Sequence, residues 1–83
     1  ASAPAAFDYY VQVGAFSRPE DAEQQRAKLA IMGFIAKISE REQSGRPVYR
    51  VRLGPYATRE EADGMQARLG ESSIEARLVR AER

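Results

Sequence analysis

Displaced by forty residues (49 − 9), the chain matches itself without a gap. Tyr9 falls on Tyr49, Val11 on Val51, Gly14 on Gly54, Glu20 on Glu60, Ala22 on Ala62, Leu29 on Leu69 and Ala36 on Ala76. Like-for-like exchanges fill the intervals: Val13/Leu53, Phe16/Tyr56, Phe34/Ile74, Lys37/Arg77 and Ile38/Leu78. Two copies of one supersecondary unit in 83 residues imply one domain with internal pseudo-twofold symmetry, not an extended array. Positions where both copies keep an apolar residue are assigned to the core. Positions where the copies differ in polar chemistry are where a function has room.

Each copy reads strand, helix, strand. Tyr9 to Phe16 alternates and is rich in aromatic and β-branched residues, as a strand requires. Ser17-Arg18-Pro19-Glu20 has the form of a capping box, followed by a helix stripe of Ala22, Gln25, Leu29 and Met32 and a left-handed exit at Gly33. Phe34 to Glu40 reads as a second strand, and the polar stretch Arg41 to Pro47 as the turn back. Copy two repeats the plan: a strand over Val48 to Gly54, a capping box at Thr58-Arg59-Glu60-Glu61, and a stripe of Ala62, Met65 and Leu69. Gly70 is read as the helix exit and Ile74 to Arg80 as the last strand. The expectation is an α+β, ferredoxin-like (RNP-type) βαββαβ fold, a four-stranded antiparallel sheet with both helices on one face. The domain is placed at residues 9–80, with linker over 1–8 and a short tail over 81–83. The chain is read as a fragment of a longer protein, any export signal or anchor lying upstream.

What is missing narrows the chemistry. With no histidine and no cysteine, imidazole general bases, disulfides, thiolate metal sites and most zinc sites are excluded. No apolar run approaches the ~18 residues of a membrane span. No cofactor, metal or catalytic residue is expected. Ser17 and Thr58 are accounted for by capping, and the helix carboxylates spread along solvent faces. A net charge of +1 names no partner class.

The alternation of strand side chains phases the repeat. Tyr9/Tyr49, Val11/Val51 and Val13/Leu53 are expected to face the helices, leaving an open face. That face would carry Tyr10, Gln12 and Gly14 from the first strand and Val48, Arg50 and Arg52 from the third. The outer strands would add Ile35, Lys37 and Ser39, and Glu75, Arg77 and Val79. Four bases against one acid on this face, with acids gathered at the helix starts, suit an anionic or polyhydroxyl ligand lying across the strands. The plainer reading is also open: solvent-facing Lys and Arg solubilise, and acids at helix N-termini answer the macrodipole. Gln12 beside Tyr10, Arg50 and Arg52 tips the balance, since an amide, a ring and two guanidinium forks form a binding palette.

Tyr9-Tyr10-Val11-Gln12-Val13-Gly14-Ala15-Phe16 and Tyr49-Arg50-Val51-Arg52-Leu53-Gly54-Pro55-Tyr56 resemble the two signatures of the SPOR (sporulation-related repeat) domain. Glu60-Glu61-Ala62 and Arg68-Leu69 extend the resemblance over roughly Tyr9 to Arg80. It implies a non-catalytic bacterial cell-envelope module that binds peptidoglycan. Its ligand would be glycan strands stripped of stem peptides, and it would carry its parent protein to the division septum in the periplasm. The family's glycan-binding Gln falls on Gln12 and its third-strand Arg on Arg50. Ala15 and Val48 occupy positions that carry a hydroxyl residue and an aromatic in relatives. Tyr10, Arg52, Arg77 and Lys37 complete the expected glycan-binding set. Partners would be glycan strands and possible divisome proteins, with no nucleic acid, no membrane insertion by this fragment, and a monomeric state. Two other readings share the fold: an RNA-recognition-like domain using its open sheet, and a protein-docking module using a Val48/Ile35/Val79 rim.

Overall fold

A computed structural model describes residues 7–82, the side chain of Glu82 excepted. Residues 1–6 of the expected linker, and Arg83 of the tail, lie outside the described residues. The elements are β1 (Phe7–Phe16), α1 (Pro19–Ile31), β2 (Lys37–Gln43), β3 (Arg46–Tyr56), α2 (Arg59–Glu71) and β4 (Arg77–Glu82). They form one antiparallel sheet in the order β2-β3-β1-β4, as the repeat requires. The core is one cluster that combines Ala22 and Leu29 of α1 and Ala62 and Leu69 of α2 with Val11, Val51 and Leu53 of the central strands. Both helices therefore cover the same sheet face. Leu29, Leu53, Leu69, Val11 and Val51 are fully buried, and each such side chain contributes about 1.5–3 kcal/mol by leaving water.

Several boundaries move. Phe34 and Ala36 are buried but precede β2, which runs on to Gln43. The expected turn over Arg41 to Pro47 shrinks to Ser44-Gly45, because Arg41 pairs with Val48, Glu42 with Pro47 and Gln43 with Arg46. Ser44 and Gly45 both have positive φ, 54° and 79°, the twist a two-residue hairpin needs. In the same way β4 starts at Arg77 rather than at Ile74, and runs to Glu82 within the expected tail. β1 starts at Phe7, within the expected linker.

Helix ends also depart from the expected symmetry. The N-cap of α1 is Arg18, with no side-chain cap, so the Ser17 capping box does not form; Pro19, which needs no N–H partner, opens the helix instead. Thr58 does cap α2, its Oγ1 accepting from the Glu61 N–H at 3.2 Å. Both helices exit through the same pair of bonds: Gly33 N–H to Ala30 and Phe34 N–H to Leu29, then Ser73 N–H to Gly70 and Ile74 N–H to Leu69. The left-handed residue is Gly33 (φ 93°) in copy one and Ser73 (φ 62°) in copy two. Gly70 lies inside α2 and is not the exit. Met32, expected in the core stripe, is 46% exposed, because it is already the C-cap of α1.

Candidate functional site

The uncovered face of the sheet is organised by its rungs. Lys37 pairs with Arg52, Arg52 with Gln12, and Gln12 with Arg77, so one row crosses all four strands. Repeat symmetry relates Lys37 to Arg77 and Gln12 to Arg52, and the pseudo-twofold axis passes between the two central residues. A second row holds Ser39, Arg50 and Ala15, and a third Arg41 and Val48. Tyr10 faces Val79 and Asp8 faces Ala81 on the other half.

A bulge in β1 corrects the expected phase. Gln12 pairs with Arg52 but Gly14 with Val51, so Val13 is the extra residue and packs against the core. Gly14 thus belongs to the helix-side rung, beneath Phe16; a Cβ there would meet the Phe16 ring at 2.7 Å. Ala15 turns to the open face beside Arg50 and is exposed. Strict alternation from Gln12 had assigned that place to Gly14. A second irregularity opposes Tyr10 to Gly54-Pro55, whose peptide bond is cis. Gly54 sits at φ 124°, and a Cβ there would lie 2.9 Å from the Tyr9 carbonyl oxygen.

The four basic residues singled out by sequence are not equivalent. Arg52 is already engaged: its guanidinium carbon lies 4.2 Å from the Tyr10 ring centroid and its Nη2 donates to Ser39 Oγ at 3.2 Å. The stack covers one side of Tyr10, so this ring braces Arg52 as well as facing solvent. Arg50 is the opposite case. Its Nε is buried with no hydrogen-bond partner, and its pKa is lowered by burial, then by the charges of Arg52 and Arg41. Arginine stays protonated even so, which leaves a partly buried cation with two cations beside it. Lys37 and Arg77 stand at the two ends of the long row, and both are exposed.

Shallow depressions interrupt the face. One, about 400 Å³, is lined by Gln12, Val13, Gly14, Ala15, Glu75, Ala76 and Arg77. It exists because the β1–β4 ladder stops at the Gln12–Arg77 pair while β1 continues to Phe16. Gln66 of α2 holds its outer wall, donating from Nε2 to the Ala76 carbonyl at 2.8 Å. Another, about 350 Å³, lies on the β2–β3 hairpin and is lined by Arg41, Gln43, Val48 and Arg50. Arg41 is the basic residue that the sequence reading leaves off the face, because it places Arg41 in the turn; pairing with Val48 puts it in β2. The dipeptide Ser44-Gly45, flanked by alternating residues, was the signal that β2 continues through it.

The ion pairs among the described residues, Arg18–Glu20, Arg26–Glu23 and Arg59–Asp63, all involve helix residues or the α1 N-cap. None of them neutralises Lys37, Arg41, Arg50, Arg52 or Arg77. The aromatic content is low: Tyr49 packs against the core, so Tyr10 stands without a second central-strand ring of the kind an RNA-recognition sheet stacks bases on. The proposed apolar rim does not assemble either. Val48 lies at the hairpin end of β3, whereas Val79 lies on β4 opposite Tyr10, towards the other end of the sheet.

A βαββαβ sheet clothed by helices on one side and bare and basic on the other defines an open-faced domain of the ferredoxin-like type. The chain belongs to the SPOR domain family, whose family model matches residues 5–80. The SPOR domain of RlpA from Pseudomonas aeruginosa is 33% identical, with a TM-score of 0.72 over 88% of this chain and 99% of its own. The peptidoglycan-binding domain of the Bacillus subtilis cell wall lytic enzyme CwlC shares the fold, with a TM-score of 0.79, 22% identity, and 99% of each chain covered. So does a putative exported protein of Burkholderia pseudomallei, with a TM-score of 0.76 and 24% identity over 92% of this chain and 16% of its own. No curated protein sequence matches the chain.

Proposed function

We propose that this SPOR domain is a non-catalytic module that binds peptidoglycan through the open face of its sheet. The ligand is the glycan strand freed of stem peptides, and binding it carries a larger envelope protein to the division septum. The observation that carries this reading is the row Lys37–Arg52–Gln12–Arg77 with Arg50 beside it, none of whose bases is matched by a carboxylate among the ion pairs of the described residues. A stripped strand keeps a lactyl carboxylate on alternate sugars, the anion that guanidinium forks pair with. The Gln12 amide donates to and accepts from N-acetyl and hydroxyl groups at the mouth of the β1–β4 groove. Ala15 and Val48, small where bulkier contacts would stand, leave the hairpin end of the face open to the sugar rings. Selectivity then comes from exclusion: peptides branching from every second sugar collide with a flat sheet, and their removal lets the strand lie down. Family membership supports the reading, as does the likeness to the CwlC domain, which is the peptidoglycan-binding domain of that protein.

The test is co-sedimentation with purified sacculi before and after amidase treatment. Wild type is expected to pellet more strongly after treatment, and Gln12→Ala and Arg50→Ala to lose that gain while remaining folded. Folded wild type left in the supernatant with both preparations would remove the glycan reading.

A further inference from the structure

The geometry points to an oxyanion subsite on the β2–β3 hairpin, in which Arg41 and Arg50 together hold a carboxylate of the strand. It rests on the glycan reading above and adds to it a residue outside the Gln12–Arg77 groove. Arg41 pairs across the ladder with Val48, so Arg50, two residues further on, is its diagonal neighbour on the same face, about 7–8 Å away. Both line the hairpin depression with Val48 and Gln43, and no carboxylate lines it. Arg50 lines the depression with its Nε unpartnered in the protein, and the guanidinium N–H groups it turns to the depression are donors for which an oxyanion is the natural complement. Val48 supplies an apolar wall that keeps water from competing. Arg52, the other candidate from the same strand, is committed to Tyr10 and Ser39 and acts as a fixed brace beside the site. Gln43 adds an amide that donates to the second carboxylate oxygen or to a neighbouring hydroxyl. The repeat offers no copy of this subsite: the positions equivalent to Arg41 and Arg50 are Ala81 and Tyr10. The face therefore has one hairpin carboxylate site and one Gln12 groove, and a strand crosses it in a defined direction.

The experiment measures binding to two preparations of amidase-treated glycan strands, one native and one with lactyl carboxyls reduced to alcohols. Wild type is expected to bind native strands about tenfold more tightly than reduced ones, the size of one charge-assisted hydrogen bond. Arg41→Gln is expected to bind native strands about tenfold more weakly than wild type, and reduced strands no more weakly. Gln12→Ala, in the other groove, should weaken both. Thermal melts confirm that each variant is folded. The subsite is overturned if Arg41→Gln binds native strands like wild type, or if it weakens both preparations equally. Equal binding of both preparations by wild type overturns the subsite but leaves the glycan reading standing. No binding to either removes both.

Discussion

At the scale of single residues, repeat-related positions serve as internal controls. Gly33 and Ser73 occupy the same left-handed helix exit, forty residues apart (73 − 33), with the same two hydrogen bonds. Glycine takes this conformation freely, whereas a side chain there costs about 1–2 kcal/mol, offset in part by the greater unfolded-state freedom of glycine. Ser73→Gly is therefore expected to raise stability by about 0.5–1 kcal/mol, and Gly33→Ala to lower it by about 1 kcal/mol, in denaturant midpoints. An unchanged midpoint for Ser73→Gly would mean that the serine is not strained. Tyr10 and Arg50 form another related pair, and here the copies diverge in chemistry. One braces Arg52, the other is a partly buried cation with an unpartnered Nε–H.

At the scale of elements, helix starts and strand irregularities set the geometry of the face. Thr58 donates its hydroxyl to Glu61 and accepts the Glu61 N–H, while Ser17 caps nothing. Thr58→Ala is expected to cost about 1 kcal/mol and Ser17→Ala less than about 0.5 kcal/mol, by chemical denaturation. Equal costs would mean that Ser17 caps α1 in solution. The bulge at Val13-Gly14 reshapes the open face, since it turns Ala15 onto the Arg50 row. Early termination of the β1–β4 ladder leaves the groove beside Gln12, and the long β2–β3 hairpin brings Arg41 to Arg50.

At the scale of the whole molecule, bases gather on the open sheet face, which also carries Asp8, and acids gather at the helix starts. First-turn acids Glu20, Asp21, Glu60 and Glu61 lie on the helices, and Lys37, Arg41, Arg50, Arg52 and Arg77 on the sheet. A net charge of +1 conceals this separation. The ion pairs on the helix side are exposed, and such pairs add little to stability. Raising salt from 50 to 500 mM is therefore expected to weaken glycan binding severalfold while moving the melting temperature by no more than a few degrees. Binding that is indifferent to salt would argue for contact through sugar hydroxyls alone.

The forty-residue repeat determined the element order, the strand order and most of the core, because burial constrains both copies at the same apolar positions. It also exposed Gln12, Arg50, Arg52, Lys37 and Arg77 as residues of one face, because strand side chains alternate. Alternation fails where a strand carries an extra residue, and nothing local in Val13-Gly14-Ala15 marks that position as a bulge. The tertiary structure alone decided that Ala15, not Gly14, meets the open face. It also decided that Arg52 is held by Tyr10 and Ser39 and that Arg41 joins Arg50. Such facts depend on which strand lies alongside and in what register, and long-range pairing is settled only when the whole sheet has closed over its core.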